Sequence, residues 1–493
     1  MRRPDLVQGA AFLFHDEGHN LLTADVVLHG GQLYRDVFFP YGPLGAYIYV
    51  VWAAAFGNTP RSYLCLFVAI SAVNMILAYY VLRRAAGMRV AVAVGAALLA
   101  VVPIPGSIVG AFVTSAYVVL ERTFLLLLAL LWTPPLTRTR SQSLAIGAIA
   151  GVWQAVKFGG GPLAMAALLL LDLVALAVSG LDAATIKTWL QRVAVSVAAF
   201  LVVEVAIVAY AFWTQPTPIA TDEVWPLFMF QAYAGLGSYR WPAWIGWRPA
   251  VAQFLFPLSA GVLSAVAIAR WLRGSAYETA GGESGAVFVP MVFVVLAAIV
   301  GYVHHAFHYF QFLWTLAPGS AWILERRGRL VAWMTALLWI PGVFVVARAC
   351  YVASPASDVR LINTPSGGTV ALTTDMAERV AFLQRVAQSP YAAGRPAILY
   401  AGIGSGWHFA YGVPLASRHS FFFAPDVIRP YERSQFADSW ERVGAIIQCA
   451  DPPLPAPTRI DFAIDGRLLD ALNERFALST RSNGCSVFDP NPR

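Results

Sequence analysis

Five consecutive residues near the start of the chain, His15-Asp16-Glu17-Gly18-His19, concentrate groups that can do chemistry. A carboxylate within reach of a hydroxyl can take its proton as that oxygen attacks, and an ionisable cluster at a membrane boundary is a functional candidate by default. The competing reading is a solvated loop in which Asp16 caps a helix. A zinc hydrolase reading needs Glu directly after the first His, and that position holds Asp16. Candidates for stabilising a departing anion are Lys157, Arg122 beside Glu121, and the histidines His304 and His308. His304 and His308 stand four apart and share a helix face, which fits metal ligation or, alternatively, interfacial histidines bonded to backbone or water. Arg122 and Glu121 lie inside an apolar run, where a lone charge costs about 2.5 to 3.5 kcal/mol, so mutual pairing stands beside a site role.

The elements that must position these groups are mostly membrane helices. Hydrophobic residues make up 58% of the 493 and charged residues 12%, with mean hydropathy +0.62. A soluble domain carries about 25% charged residues, so a soluble globular fold is excluded. About ten runs read as spans: 62–82, 90–103, 115–132, 143–156, 162–178, 193–213, 251–269, 286–303, 307–324 and 330–346. Pro43–Phe56 is shorter and interrupted by Gly and Tyr, the pattern of an interfacial or re-entrant segment.

The net charge of +7 does not indicate nucleic acid, because the Lys and Arg sit in small clusters between apolar runs. Arg83, Arg84 and Arg89, then Arg138 and Arg140, Lys187 and Arg192, Arg270 and Arg273, and Arg326, Arg327 and Arg329 occupy every second connection. The positive-inside rule makes those cytoplasmic and puts 15–60, 103–114, 157–161, 214–248, 304–308 and everything after about 353 outside. The same parity predicts a helix upstream of Asp16, either absent from this sequence or unusually short, because residues 1–14 hold too little apolar length to span. The chain thus divides into 1–61 with the first outer loop, a 62–352 transmembrane body, and a 353–493 outer domain.

The outer domain reads as a small α/β fold able to form on its own. Asp375 and Glu378 resemble a capping box that opens a helix to about residue 388. Ala397–Tyr400 and 443–447 read as buried strands, 466–476 as a helix, and Asn483-Gly484 as a hairpin turn. Cys449 and Cys485 would lie in an oxidising space, either bridged or as two buried thiols. The aromatic loop with Trp225, Tyr233, Tyr239, Trp241, Trp244 and Trp247 suits an interfacial belt or carbohydrate stacking.

Asp16-Glu17-Gly18, followed by Gly30-Gly31-Gln32-Leu33-Tyr34-Arg35-Asp36-Val37-Phe38-Phe39-Pro40-Tyr41-Gly42-Pro43-Leu44, resembles the first periplasmic loop of GT-C membrane glycosyltransferases. The stretch is similar to that of the bacterial enzymes resembling protein O-mannosyltransferases and lipid A aminoarabinose transferases. Lys157-Phe158-Gly159-Gly160 resembles the family's Lys-x-x-Gly at a helix end, and His308-Tyr309-Phe310 through Pro318 its late His-Tyr and Pro. The resemblance implies a polytopic α-helical body with a small C-terminal extracytoplasmic α/β domain, in the bacterial cytoplasmic (inner) membrane. It implies an inverting transferase that moves a hexosyl or pentosyl group from a polyprenyl-phosphate sugar to a hydroxyl of a glycan, lipid or protein acceptor. Asp16 and Glu17 would then be catalytic. Lys157, Arg122, Tyr41, His304 and His308 would serve the donor phosphate, and Tyr34, Arg35 and Tyr309 the substrates. The family resembled commonly carries Lys where this chain has Tyr41, and that departure implies that phosphate binding would be shared differently here. A divalent metal ion stays open as a cofactor.

Two other classes remain to be weighed. A transporter or flippase of a lipid-linked sugar would bind near the bilayer midplane through interrupted, repeat-related helices. No internal repeat is visible, and the charges gather at one face. A scaffold would leave the Asp16-Glu17 loop without a purpose.

Overall fold

The structure is a computed structural model that describes residues 16–86, 116–133, 135, 137–179, 182–214, a few positions between 289 and 296, 359–365, 368–389, 395–400, 405–420, 428, 432–449, 456–461 and 464–491. Two compact units form, one from Met1–Cys65, Gln215–Gly237 and Ser354–Arg493, the other from Leu66–Thr214 and Ser238–Ala353.

Long apolar helices dominate the described part of the body: α3 (Pro60–Ala86), α4 (Ala116–Leu131), α5 (Arg140–Val156), α6 (Gly160–Ser179) and α7 (Ala183–Thr214), preceded by α1 (Asp16–Leu28) and α2 (Pro43–Phe56). Among the described residues three are long and apolar enough to cross a membrane, in α3, α6 and α7. Expected runs at 90–103, 251–269, 307–324 and 330–346 fall outside the described residues, and 286–303 is represented only by helical positions at 289–290, 292–293 and 296. Helix α7 has 32 residues, about 48 Å at 1.5 Å each, against a hydrocarbon core of about 30 Å. Hydropathy therefore found only its apolar stretch and missed the first turns that carry Lys187 and Arg192.

Helices α5 and α7 pack through small residues. Ser196 Oγ donates to the Ser143 carbonyl at 2.8 Å. A side chain on Gly147 would collide with the Ser196 backbone, and one on Gly151 would meet Val203, the close approach that helices use where lipid gives no hydrophobic drive. The opposite face of α7 leaves Leu201, Val202, Val205 and Trp213 exposed, as lipid contact requires. Thr139 and Gln142 form a capping box at the start of α5, so the helix begins a few residues before its apolar run.

In the other unit a hairpin of β1 (Val359–Thr364) and β2 (Gly368–Thr373) leads into α8 (Thr374–Ala387). Because α8 begins at Thr374, Asp375 lies in its first turn, where a carboxylate meets the positive helix end, rather than capping it from outside. Next come β3 (Ala397–Tyr400), α9 (Ser405–Tyr411), α10 (Arg433–Ser439), β4 (Ala445–Cys449), α11 (Gly466–Arg475), β5 (Phe476–Ser482) and β6 (Cys485–Pro490). They build a four-stranded sheet ordered β3-β4-β6-β5, with β3 and β4 parallel and the other pairs antiparallel. Asn483 and Gly484 both have positive φ, the type I′ geometry that fits a two-residue hairpin. Cys449 and Cys485 face each other across β4 and β6 and are bridged.

Candidate functional site

Helix α1 carries the acidic pair. Glu17 is buried, while for Asp16 the backbone is described and the side chain is not. The helix ends in a Schellman cap: Gly30 N–H bonds to the Val27 carbonyl and Gly31 N–H to that of Val26. Gly30 takes the left-handed conformation the cap needs, and a side chain on Gly31 would collide with Val26. Those glycines are thus explained by the turn alone.

The turn that follows is built by its own motif. Asp36 accepts from the Gln32 backbone N–H at 2.7 Å, and Tyr34 N–H donates to the Val37 carbonyl at 2.8 Å. Burial tends to raise the Asp36 carboxyl, but its hydrogen bonds from Arg35 and Gln32 outweigh that and hold it below the usual range. Tyr34 has φ of 69°, unfavourable for a side chain of this size. Its phenol is buried and donates to the Tyr41 carbonyl at 2.9 Å. Arg35 lies at the surface, 2.9 Å from Asp36.

This loop rests on the segment after α9. Phe38 N–H donates to the Arg418 carbonyl at 2.8 Å, and the Arg418 guanidinium bonds both the Tyr34 carbonyl and Glu432. The Phe38 ring lies 4.9 Å from the His419 ring, whose Nε2 is 3.3 Å from Glu432. Burial lowers His419, and Glu432 only partly restores it. Burial would raise Glu432, yet hydrogen bonds from His419 and Arg418 hold it down at about 2.

A second cluster sits on α1 itself. His19 is buried, its Nδ1 3.3 Å from both Ser405 Oγ and Ser420 Oγ, and the two hydroxyls are 2.6 Å apart. Its ring stacks on Phe39 at 5.5 Å. Burial drives the imidazole down to about 3, against a raising hydrogen bond with the Phe38 backbone, so it is neutral at physiological pH. The sequence motif contains His19 without giving it a role, and Ser405, Arg418, His419, Ser420 and Glu432 belong to no motif of their own. No local pattern announces them, because the contacts that tie this segment to His19 and Tyr34 span nearly 400 positions.

Among the described residues the other unit holds two buried ion pairs. Lys157, at the C-terminal cap of α5, is 2.6 Å from Glu121 on α4. Glu121 and Arg122 attract each other as expected, and Lys157 adds a direct contact with Glu121 from the next helix. The glycines after Lys157 have packing reasons: Gly159 has φ of 96°, and side chains on Gly160 and Gly161 would strike Trp153 and the Ala150 carbonyl. Arg122 is buried beside this pair. Arg138 makes a bidentate pair with Asp172 at 2.9 and 2.5 Å, and Trp132 also donates to that carboxylate. A residue counted as a cytoplasmic charge is therefore buried in a contact as well.

His304, His308, Tyr309 and the aromatic loop at 225–247 lie outside the described residues. Among the described residues no group of three or more His, Cys, Asp or Glu could hold a metal ion.

No protein-family model matches the chain, and no curated protein matches it. Solved structures do. The apo crystal structure of ArnT from Cupriavidus metallidurans is 12% identical, with a TM-score of 0.46 over 99% of this chain and 97% of that one. The structure of the same protein bound to undecaprenyl phosphate is 13% identical, with a TM-score of 0.43 over 99% and 98%.

Proposed function

We propose that this protein is a membrane glycosyltransferase that moves a sugar from a polyprenyl-phosphate donor to an acceptor hydroxyl on the extracytoplasmic face. The observation that carries the reading is the loop from Asp16 to Leu44, whose family-like motifs fold as an acidic helix, a braced turn and a short apolar helix. The disulfide in the C-terminal part supports an oxidising, extracytoplasmic side for that part.

In this reading Asp16 takes the proton of the acceptor hydroxyl as its oxygen attacks the anomeric carbon. The bond from that carbon to the donor phosphate breaks, and the polyprenyl phosphate leaves as an anion. A single displacement inverts the anomeric centre. Glu17 supports the base, and Lys157, Arg122, Tyr41, His304 and His308 are the candidates for the phosphate. Lys157 is 2.6 Å from Glu121, so phosphate binding there competes with, or shares, an existing carboxylate. Tyr34 serves the substrates by holding the loop through its bond to Tyr41, and Arg35 and Tyr309 complete the candidates.

The test is transfer or hydrolysis of a radiolabelled panel of polyprenyl-phosphate sugars by the purified protein in detergent. Asp16→Asn is expected to lower the rate by about 100-fold or more while the protein stays folded. Full activity in the variant would remove Asp16 as the base. No turnover of any donor by folded wild type would refute the transferase.

A further inference from the structure

Three successive residues of α1 are held from three directions. His19 meets Ser405 and Ser420 at 3.3 Å each, Asn20 donates to the Tyr63 hydroxyl at 3.4 Å, and Asn58 donates to the Leu21 carbonyl at 2.9 Å. The first of these contacts joins the helix to a segment nearly 400 residues later. It is also the one that uses an imidazole in a fully buried place, where an apolar side chain of similar size would fill the space without needing polar partners. A hydroxyl pair and a ring nitrogen are directional, and the Phe39 ring at 5.5 Å covers one face of the imidazole. Together they fix the rotation of α1 about its axis. Asp16 and Glu17 precede His19 by less than one helical turn, so that rotation is passed to them through rigid backbone.

We propose that His19 is a positioning residue, through which Ser405 and Ser420 of the C-terminal domain set the direction in which α1 presents the Asp16-Glu17 pair. This rests on the transferase reading. The C-terminal domain is then a working part of the active site, and its contribution is geometric: displacement of a base by about 1 Å can cost on the order of 100-fold in rate.

The experiment uses the full chain in detergent and compares wild type, His19→Leu, His19→Asn and the double variant Ser405→Ala with Ser420→Ala. In His19→Leu, kcat is expected to fall by about 10- to 100-fold while KM for the donor stays within about twofold, the pattern of a group that acts only in the transition state. His19→Asn, whose amide can stand where Nδ1 stands, restores most of the rate. Adding His19→Leu to the double serine variant causes a smaller loss than His19→Leu does in wild type, because the serine contacts are already gone. A wild-type kcat in His19→Leu overturns the proposal, as does an equal loss in Leu and Asn.

A wild type with no transfer refutes the transferase reading instead. Amide hydrogen exchange over residues 20–41 then decides the positioning claim. Exchange is expected to quicken in His19→Leu and return to wild-type rates in His19→Asn, and unchanged exchange overturns the claim.

Discussion

Buried polar groups are handled differently in the two units. In the helix-rich unit, opposite charges meet: Glu121 on α4 with Lys157 at the end of α5, and Asp172 on α6 with Arg138 in the connection before α5. In the other unit the acidic helix is held by a neutral imidazole and two hydroxyls, while the next loop is held by a network around Glu432 that includes its ion pair with Arg418. The first arrangement neutralises charge where hydration is missing, since an unmatched ion there costs several kcal/mol. The contacts of His19 set direction, because neutral hydrogen bonds contribute only about 1 kcal/mol each but hold a defined geometry. One kind of contact therefore serves stability, and the other serves placement.

That contrast can be broken most directly at Arg138. Arg138→Ala should destabilise the protein by about 3 to 5 kcal/mol, because Asp172 is left buried without its bidentate partner. Pairing it with Asp172→Asn should recover much of the loss, measured by thermal unfolding in detergent. A stability unchanged by Arg138→Ala would show that the pair neutralises nothing.

Lys157 sharpens the same comparison. Lys157→Met alone should cost a similar amount, about 3 to 5 kcal/mol, and Lys157→Met with Glu121→Gln should restore folding. If Lys157 also serves the donor phosphate, the double variant will be stable yet inactive. Recovered activity with recovered stability would make the pair purely structural.

The placement unit should be the one that responds to acid. His19 and His408 titrate at about 3 and about 4 when folded, both lowered by burial. Their unfolded forms take up a proton near pH 6.5, so stability is full above that pH and falls as the pH drops below it. Each contributes up to about 1.4 kcal/mol per pH unit. Glu432, held at about 2, adds a further loss as the pH falls below about 4.5. Hydrogen exchange between pH 7.5 and 5 should loosen residues 16–41 and 405–420, and His19→Asn should flatten the dependence. A flat wild-type profile would contradict the buried neutral imidazole. The smallest effect is expected at Gly484, which has φ of 76°. Gly484→Ala should cost about 1 kcal/mol through strain in the hairpin turn, read by unfolding of the disulfide-bonded domain.

Local and periodic features were legible in the sequence. Pro43–Phe56 and Ala397–Tyr400 form with the expected bounds, and the Asn483-Gly484 turn closes a hairpin. Each depends on neighbours a few positions apart. Helix ends were less legible where polar residues extend an apolar run, as in α7, because hydropathy measures transfer into lipid and not helix length. The choice between a disulfide and two thiols at Cys449 and Cys485 required the strand register, which places them opposite each other.

The sequence by itself determined that the chain enters a membrane, where its charges cluster, and which loop carries adjacent acids. Those properties follow from composition and short spacing. Only the tertiary structure decided that Lys157 meets Glu121, that Arg138 meets Asp172, and that His19 meets Ser405 and Ser420. A buried polar group is stabilised by whichever partner folding brings within about 3 Å, and sequence distance does not limit that choice.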